Sequence, residues 1–531
     1  DGGKTMRQRR FFLRGLFRTL LWAMTVILSG WAALLLFHPP LPSLEGRSFT
    51  TAFSDTSHTR IGRTLASLAA AHPDRSGVVP VADGRDAFAV RKLLVDSAEI
   101  SIDVQVYIWH GDLSGTLLLN SLYRAALRGV RVRMLLDDNG TDLDTFLSAL
   151  DRHPLIEVRL FNPFVQRRWP WLNYLTDFRR VNRRMHNKAL VVDNQVAIVG
   201  GRNVGDEYFD ADQSFFFIDL DVLAVGDVVP RISDNFDRYW ASGSAYPIDR
   251  LVSAPPEEAL QRLSRRVQAI MQAPEARVYR KAVSENTLVQ DLKNGRLSFE
   301  WVPVHLISDD PAKGLGAVEP ADHIGTNMLK RIGTAKQEIE LVSPYFVPTR
   351  IGTSALGGAA RKGLRVHVLT NSLSATDVPA VHAGYGKHRQ KLLQQGVSLY
   401  EMKKSAGVIR SALEDRGPLG SSAASLHAKT LSLDGERIFV GSFNFDPRSA
   451  LLNTEMGFVI ESPRLAGAIS DRFTKKINPF AYQVRLDRDG NLQWEEERGG
   501  DKILHTTEPE TSWRLRALVT VLSWLPIEPL L

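Results

Sequence analysis

The 531-residue chain contains no cysteine. This excludes disulfides, thiolate metal sites, a cysteine nucleophile and acylation at a lipoprotein cysteine. It leaves the compartment open. No cluster of carboxylates demands a metal ion either. Acidic residues are the minority charge: 59 Asp and Glu stand against 66 Lys and Arg, a net charge of +7. That balance suits an anionic partner, membrane lipid or nucleic acid, without choosing between them. Hydrophobic content of 44% and charge of 24% are globular values, and the length calls for two domains.

One long stretch has no charge at all. Thr19 to Phe37 is apolar and ends at a proline-rich HPPLP, long enough to cross a bilayer as a helix. Arg7, Arg9, Arg10, Arg14 and Arg18 precede it, which places that end in the cytoplasm by the positive-inside rule. The body then lies on the outer side. A cleavable signal peptide or a buried helix are the alternatives, but the run is long for a signal core and shows no small-x-small cleavage site. Asp1 to Thr5 precede Met6 and are set aside as a scar or an upstream start.

What the chain does have is one pattern twice. Arg184–Asn203 reads RMHNKALVVDNQVAIVGGRN and Ser425–Asn444 reads SLHAKTLSLDGERIFVGSFN. Without a gap, His186 matches His427, Lys188 Lys429, Asp193 Asp434, Gly200 Gly441 and Asn203 Asn444. Both stretches predict two strands joined at Asp-Asn or Asp-Gly, which are hairpin residues. Strand side chains alternate faces, so each His and Lys point one way and Asp193 and Asp434 the other. The aspartates are therefore expected to be structural, capping the hairpin and holding its register. The return strand brings Gly200 and Gly201, or Gly441 and Ser442, and then the Asn back towards the His/Lys side. Burying two imidazoles and two ammonium groups together is costly unless they face an anion, which points to a phosphate site.

The duplicated pattern, H-x-K-x4-D followed by G-G/S-x-N, resembles that of the phospholipase D superfamily. QVYIWHGD (105–112), RGVRVRMLLDDNG (128–140), GGRNVGDEYF (200–209), SPYFVPT (343–349) and GSFNFDPRSALLNTE (441–455) are similar to the bacterial cardiolipin synthase branch, most of all its C-type subgroup. The resemblance implies an α/β fold of two tandem phospholipase D-type sandwich domains forming one pseudo-symmetric site, after an N-terminal transmembrane helix. It implies a phosphatidyltransferase that moves a phosphatidyl group from a phospholipid to phosphatidylglycerol. A hydrolase releasing phosphatidic acid is the alternative; a nuclease is a more remote one. No cofactor, metal or nucleic acid is expected. Phospholipid and membrane are the expected partners, with a small accessory protein as a further one, in the bacterial inner membrane with the body on the periplasmic side.

In such a site His186, Lys188, Asn203, His427, Lys429 and Asn444 are the catalytic set. One neutral imidazole attacks phosphorus and the other, protonated, serves the leaving alkoxide. An unperturbed imidazole pKa of about 6.5 lets both forms coexist near neutrality. The resemblance favours His186 as nucleophile. It also places a carboxylate on the strand after each Asn to orient an imidazole: Glu455 in half two and, by strand position, Asp219 in half one, with Asp221 as alternative. Asp206, Glu207 and Tyr208 are expected to line or brace the mouth. Arg202 and Arg448 are expected to reach a headgroup phosphate. Tyr107 and Tyr345, on equivalent strand ends, read as core aromatics.

The alternation of strands and helices implies crossover connections. It divides the chain into a basic segment (1–18), an anchor (19–37), a linker or cap (38–78), half one (79–245), a charged helical connection (246–300), half two (301–490) and a tail (491–531) with an amphipathic membrane-interface segment from Trp513. Pro311–Asp322 and Ser405–Ser425 read as mobile loops.

Overall fold

The computed structural model describes residues 2–36, 38–212, 215–285, 287–294, 296–406, 423–471, 473, 477–498 and 500–531. Most of the second loop expected to be mobile, 407–422, lies outside them.

Half one supplies strands β1 (Ser76–Val81), β2 (Ser101–Trp109), β3 (Arg131–Thr141), β4 (Ile156–Phe161), β5 (Ala189–Val192), β6 (Val196–Gly200), β7 (Phe215–Ile218), β8 (Asp221–Gly226) and β9 (Ala245–Pro247). Then come β10 (Glu300–Val302), β11 (Val304–Ser308), β12 (Glu338–Val342), β13 (Arg365–Asn371), β14 (Ser398–Met402), β15 (Ala423–Leu426), β16 (Thr430–Leu433), β17 (Arg437–Gly441), β18 (Met456–Glu461), β19 (Ala481–Leu486), β20 (Leu492–Arg498) and β21 (Asp501–His505). Among the described residues they form one sheet of order β10-β1-β8-β6-β5-β2-β3-β4-β9 and another of order β11-β18-β17-β16-β12-β13-β14-β19-β20-β21.

The two orders are one plan. β2, β3 and β4 run parallel through helical crossovers, as do β12, β13 and β14. The motif hairpins β5–β6 and β16–β17 add antiparallel to β2 and β12. Half one's sheet starts slightly earlier than expected, at Ser76, and takes in β10, which straddles the expected boundary between the connection and half two. Half two runs on to His505, so a boundary at 490 cuts the β19–β20 hairpin.

The motif strands lack apolar alternation because both their faces are covered. Leu190, Val192, Val196 and Ile198 face the core of half one. Ala189, Val191, Ala197 and Val199 pack with Ile438, Val440, Phe458 and Ile460 from the other sheet. This second layer presses the halves face to face.

The start of Pro311–Asp322 is clamped rather than loose. Lys313, 1% exposed, bonds Asp309 Oδ2 at 2.9 Å and the carbonyl of Ser449 at 3.0 Å. Asn162 of half one donates to the Gly314 carbonyl. The buried ion pair needs that ring of partners, and they lock the start of the segment between the halves.

Ahead of the body, helix Gly2–Leu36 contains a 20-residue span, Phe17–Leu36, long and apolar enough to cross a membrane and buried nowhere against the rest.

Candidate active site

Both hairpins turn through two left-handed residues, Asp193 and Asn194 (φ 51° and 49°) and Asp434 and Gly435 (φ 58° and 64°), as a tight hairpin requires. Each aspartate also reaches beyond its hairpin. Asp193 accepts the amides of Glu99, Ile100 and Ser101 where β2 begins. Asp434 accepts those of Lys336, Gln337 and Glu338 where β12 begins, and these amides hold its carboxyl below the usual range despite burial. The motif aspartates tie hairpin to sheet and fix where each histidine emerges.

The histidines emerge across the boundary between the halves. The amide of His186 donates to the Thr454 carbonyl at 2.8 Å, and the amide of His427 to the Ile218 carbonyl at 2.7 Å. β15, leading into His427, pairs in parallel with β7 of half one. The carboxylates cross in the same way. His186 Nδ1 lies 2.8 Å from Glu455 Oε2, and His427 Nδ1 lies 2.5 Å from Asp219 Oδ2. Each imidazole is thus oriented by the opposite half. With Nδ1–H given to a carboxylate, Nε2 is the nitrogen left for chemistry.

Strand register explains these partners. Gly200 faces Asp221 and Gly441 faces Gly457, so Asp219 and Glu455 stand at equivalent positions, two residues earlier. Asp221 is committed elsewhere, to Arg91 and Arg202 at 2.9 and 3.2 Å. At Gly201 a Cβ would fall 2.1 Å from Asp219 Oδ1, so only glycine admits that carboxylate. Ser442 takes the same place in half two and donates its hydroxyl to Glu455 Oε2 at 2.5 Å. Glu455, longer by one methylene, accommodates both serine and histidine.

The lysines lie behind the histidines. Lys188 Nζ donates to the His186 carbonyl at 2.6 Å, and Lys429 Nζ donates to the His427 carbonyl and approaches His427 Nδ1 to 3.0 Å. Each ammonium also acts on the other half's imidazole. Burial, opposed by Glu455 and aided by Lys188, pushes His186 down to about 4. Burial and then Lys429, opposed by Asp219, push His427 down to about 3. Both shifts run against the expected coexistence near neutrality: the protein's own groups favour the neutral form of each imidazole. Burial also pulls Lys188 well below its ordinary range, and Lys429 to about 8.

The asparagines differ. Asn203 accepts the Ile108 amide and donates to the Tyr208 hydroxyl at 2.9 Å. Asn444 Oδ1 is buried without a partner among the described residues. Tyr208 sets its ring edge against His427, centroids 5.2 Å apart. Glu207 lies 3.1 Å from His110, and Asp206 braces the start of helix Leu113–Leu127 through the amides of Leu113 and Ser114.

Four sequence readings change. Arg202 does not reach towards a headgroup: its side chain is fully buried and donates to the carbonyls of Tyr208, Val81, Ala82 and Asp219 as well as to Asp221. Arg448 is spent on the Asn182 carbonyl and side chain and the Leu530 carbonyl, joining half one to the tail. Tyr107 is site wall rather than core, edge-on to His186 at 5.0 Å, with Lys188 Nζ 5.4 Å from its ring centre. Tyr345 donates to Asp377 at 2.7 Å, and Asp377 acts in turn on Lys429.

Three supports gave no signal in the repeat. Asp137 and Asn371, seventh residues of β3 and β13, hold the residues before the histidines: Met185 by its amide at 2.7 Å and Leu426 by both its polar backbone atoms. Asp309 accepts the Glu455 amide at 2.9 Å. The acidic pair ending the apolar run of β3 was the one visible hint.

The comparisons agree with this geometry. The family model described as "Cardiolipin synthase, PLD-like domain" matches residues 92–240 and 328–477, one copy for each half. Cardiolipin synthase C of Escherichia coli (strain K12) is 47% identical over 473 residues, 89% of this chain and all of that protein. Cardiolipin synthase 2 of Staphylococcus epidermidis is 27% identical over 390 residues, 73% of this chain and 65% of that protein. The crystal structure of a phosphatidylserine synthase from Haemophilus influenzae Rd KW20 shares the fold, with a TM-score of 0.56 at 14% identity, covering 89% of this chain and all of that one. With a family domain matched in each half and near half of its residues shared along an entire relative, the chain belongs to the cardiolipin synthase family of phospholipase D-like enzymes, in its C-type branch.

Proposed function

We propose that the protein is a membrane-anchored cardiolipin synthase working through a phosphohistidine. The reading is carried by one observation: two imidazoles, each held at Nδ1 by a carboxylate of the opposite half, share a pocket with two buried lysines. In the first step His186 Nε2 attacks the phosphorus of a phospholipid. The P–N bond forms as the bond to the headgroup oxygen breaks, and His427 Nε2–H protonates the departing alkoxide. In the second step the primary hydroxyl of phosphatidylglycerol attacks the phosphohistidine, gives its proton to His427 and releases cardiolipin. Lys188 and Lys429 supply charge where the phosphoryl oxygens gain it.

The acid role suits His427 for a physical reason. After burial, Lys429 is what lowers it most. A phosphodiester anion drawing on Lys429 relieves that pressure, so binding itself favours protonation of His427.

The donor is phosphatidylglycerol or phosphatidylethanolamine, and a small accessory protein is part of the proposal. The arginines before the apolar span support a body on the periplasmic side of the inner membrane. The test is product analysis of purified protein in phosphatidylglycerol liposomes, with and without phosphatidylethanolamine, in EDTA, against His186→Ala. Cardiolipin from wild type alone supports the reading. Phosphatidic acid alone makes the protein a hydrolase and overturns it. Mapping the phosphorylated histidine to 427 reverses the two roles.

A further inference from the structure

Among the described residues of the body, two exposed apolar surfaces carry tryptophans and lie away from the catalytic set. The first is the segment between β4 and β5. Trp169, Trp171, Leu175 and Phe178 are 45–61% exposed there, with Arg168 and Arg179 exposed beside them. Its frame is rigid. Buried Asn173 staples it by accepting the amides of Val165 and Gln166 and donating to the carbonyls of Gln166 and Pro170, and Arg167 pairs with Asp138 and Asp144. Rings on so fixed a frame are presented to something.

The segment adjoins the site. Tyr174 donates to Asn139, Asn139 donates to Tyr107, and Tyr107 lies against His186.

The second surface is helix Trp513–Trp524. One face packs on helix Pro379–Gln394. The other leaves Trp513, Leu518, Val521 and Trp524 at 50–76% exposure, with Arg514 over the ring of Trp513. Arg448 ties this tail to the first surface by bonding both Asn182 and Leu530.

The occupant is set by the anchor. Trp31, inside the apolar span, donates its indole N–H to the Leu175 carbonyl at 3.0 Å. Trp31 lies five residues before the end of the span at Leu36, about 7.5 Å along the helix axis. A surface helix buries its apolar face about 5–10 Å into the bilayer boundary, so the first segment is level with that zone. Exposed tryptophans beside arginines are the composition that anionic interfaces favour.

We propose that the 168–179 segment and the Trp513–Trp524 helix form a bilayer-docking rim that seats the site on an anionic phospholipid surface, so that substrate enters from the membrane plane. This rests on the phospholipid reading above, and the first arm of its test needs no turnover. The cysteine-free chain permits single Trp171→Cys, Trp524→Cys and Glu436→Cys labels in the full-length protein. Glu436, in the β16–β17 turn at the far end of the hairpin from His427, is the control. The protein is placed in phosphatidylglycerol or phosphatidylcholine vesicles carrying nitroxide phospholipid. Labels at 171 and 524 are expected to be quenched, more strongly in phosphatidylglycerol, and the label at 436 spared. Labels at 171 and 524 no more quenched than at 436 overturn the proposal. So does concentration-dependent protection of both labels in lipid-free detergent, which assigns the face to a second copy. In the second arm, Trp169→Glu/Trp171→Glu is expected to lower turnover of vesicle phosphatidylglycerol about tenfold while sparing monomeric short-chain phosphatidylglycerol. An equal fall on both substrates overturns docking in favour of a damaged site.

Discussion

His186 and Glu455 stand 269 residues apart in the chain and 2.8 Å apart in the fold, and His427 and Asp219 mirror them across 208 residues. Neither half orients its own imidazole. Glu455→Gln and Asp219→Asn are therefore expected to lower kcat by about 10²- to 10⁴-fold with little change in KM, the range for losing the carboxylate behind a catalytic histidine. In a His186→Asn background, Glu455→Gln should cost almost nothing further, because residues acting as one unit are not additive. Full additivity in that cycle would contradict the pairing.

Gly201 with Asp219 and Ser442 with Glu455 are matched by length. Gly201→Ser should reduce activity at least about a hundredfold, because its Cβ intrudes on the Asp219 carboxylate. Adding Asp219→Glu should recover part of it by reproducing the half-two arrangement, in which the serine hydroxyl becomes a donor. The kcat of the two variants measures this directly.

The pH dependence of kcat/KM reports the free enzyme. As pH falls through about 4, His186 protonates and loses its nucleophilic form; as pH rises through about 8, Lys429 loses the charge that faces phosphate. Because His427 has to take up a proton before it can act as the acid, kcat/KM is expected to decline between those limbs rather than hold level. Lys429→Arg should move the alkaline limb upward while lowering kcat, since guanidinium stays charged but fits the pocket differently. A limb near 6.5 would mean that an imidazole titrates as if unperturbed.

Asp309 couples stability to catalysis. It holds both the Glu455 amide and buried Lys313. Removing one partner of a buried pair strands the other, so Asp309→Ala should destabilise by about 3–5 kcal/mol. The milder Asp309→Asn should reduce kcat by loosening Glu455. Denaturant melts of both variants, with kcat for the folded fraction, separate the two effects.

The repeat made much of this legible. His, Lys, Asp, Gly and Asn at one spacing exposed the duplicated sheet, the hairpins and the chemistry, because each position has one backbone reason to be what it is. The crossing of the carboxylates was not legible, since periodicity describes a strand and says nothing of which half it joins. The arginines misled for a related reason. Arg202 lies just past the end of β6 and Arg448 in the short helix Pro447–Leu451, where strand alternation gives no direction, and both spend donors on main-chain carbonyls. Clamping at the start of 311–322 escaped because glycine, alanine and proline describe a loop equally well when a buried Lys313 anchors it.

The crossed pairing also sets a clock. During synthesis His186 leaves the ribosome with half one, long before Glu455 exists to turn its ring, and Asp219 waits as long for His427. The nascent chain, its anchor already made, can lie against its own membrane without a working centre, since domains made first fold first. On the proposed mechanism competence arrives only when Glu455, just ahead of β18, closes against the earlier half, so a product truncated before it is expected to be inert towards the lipid around it.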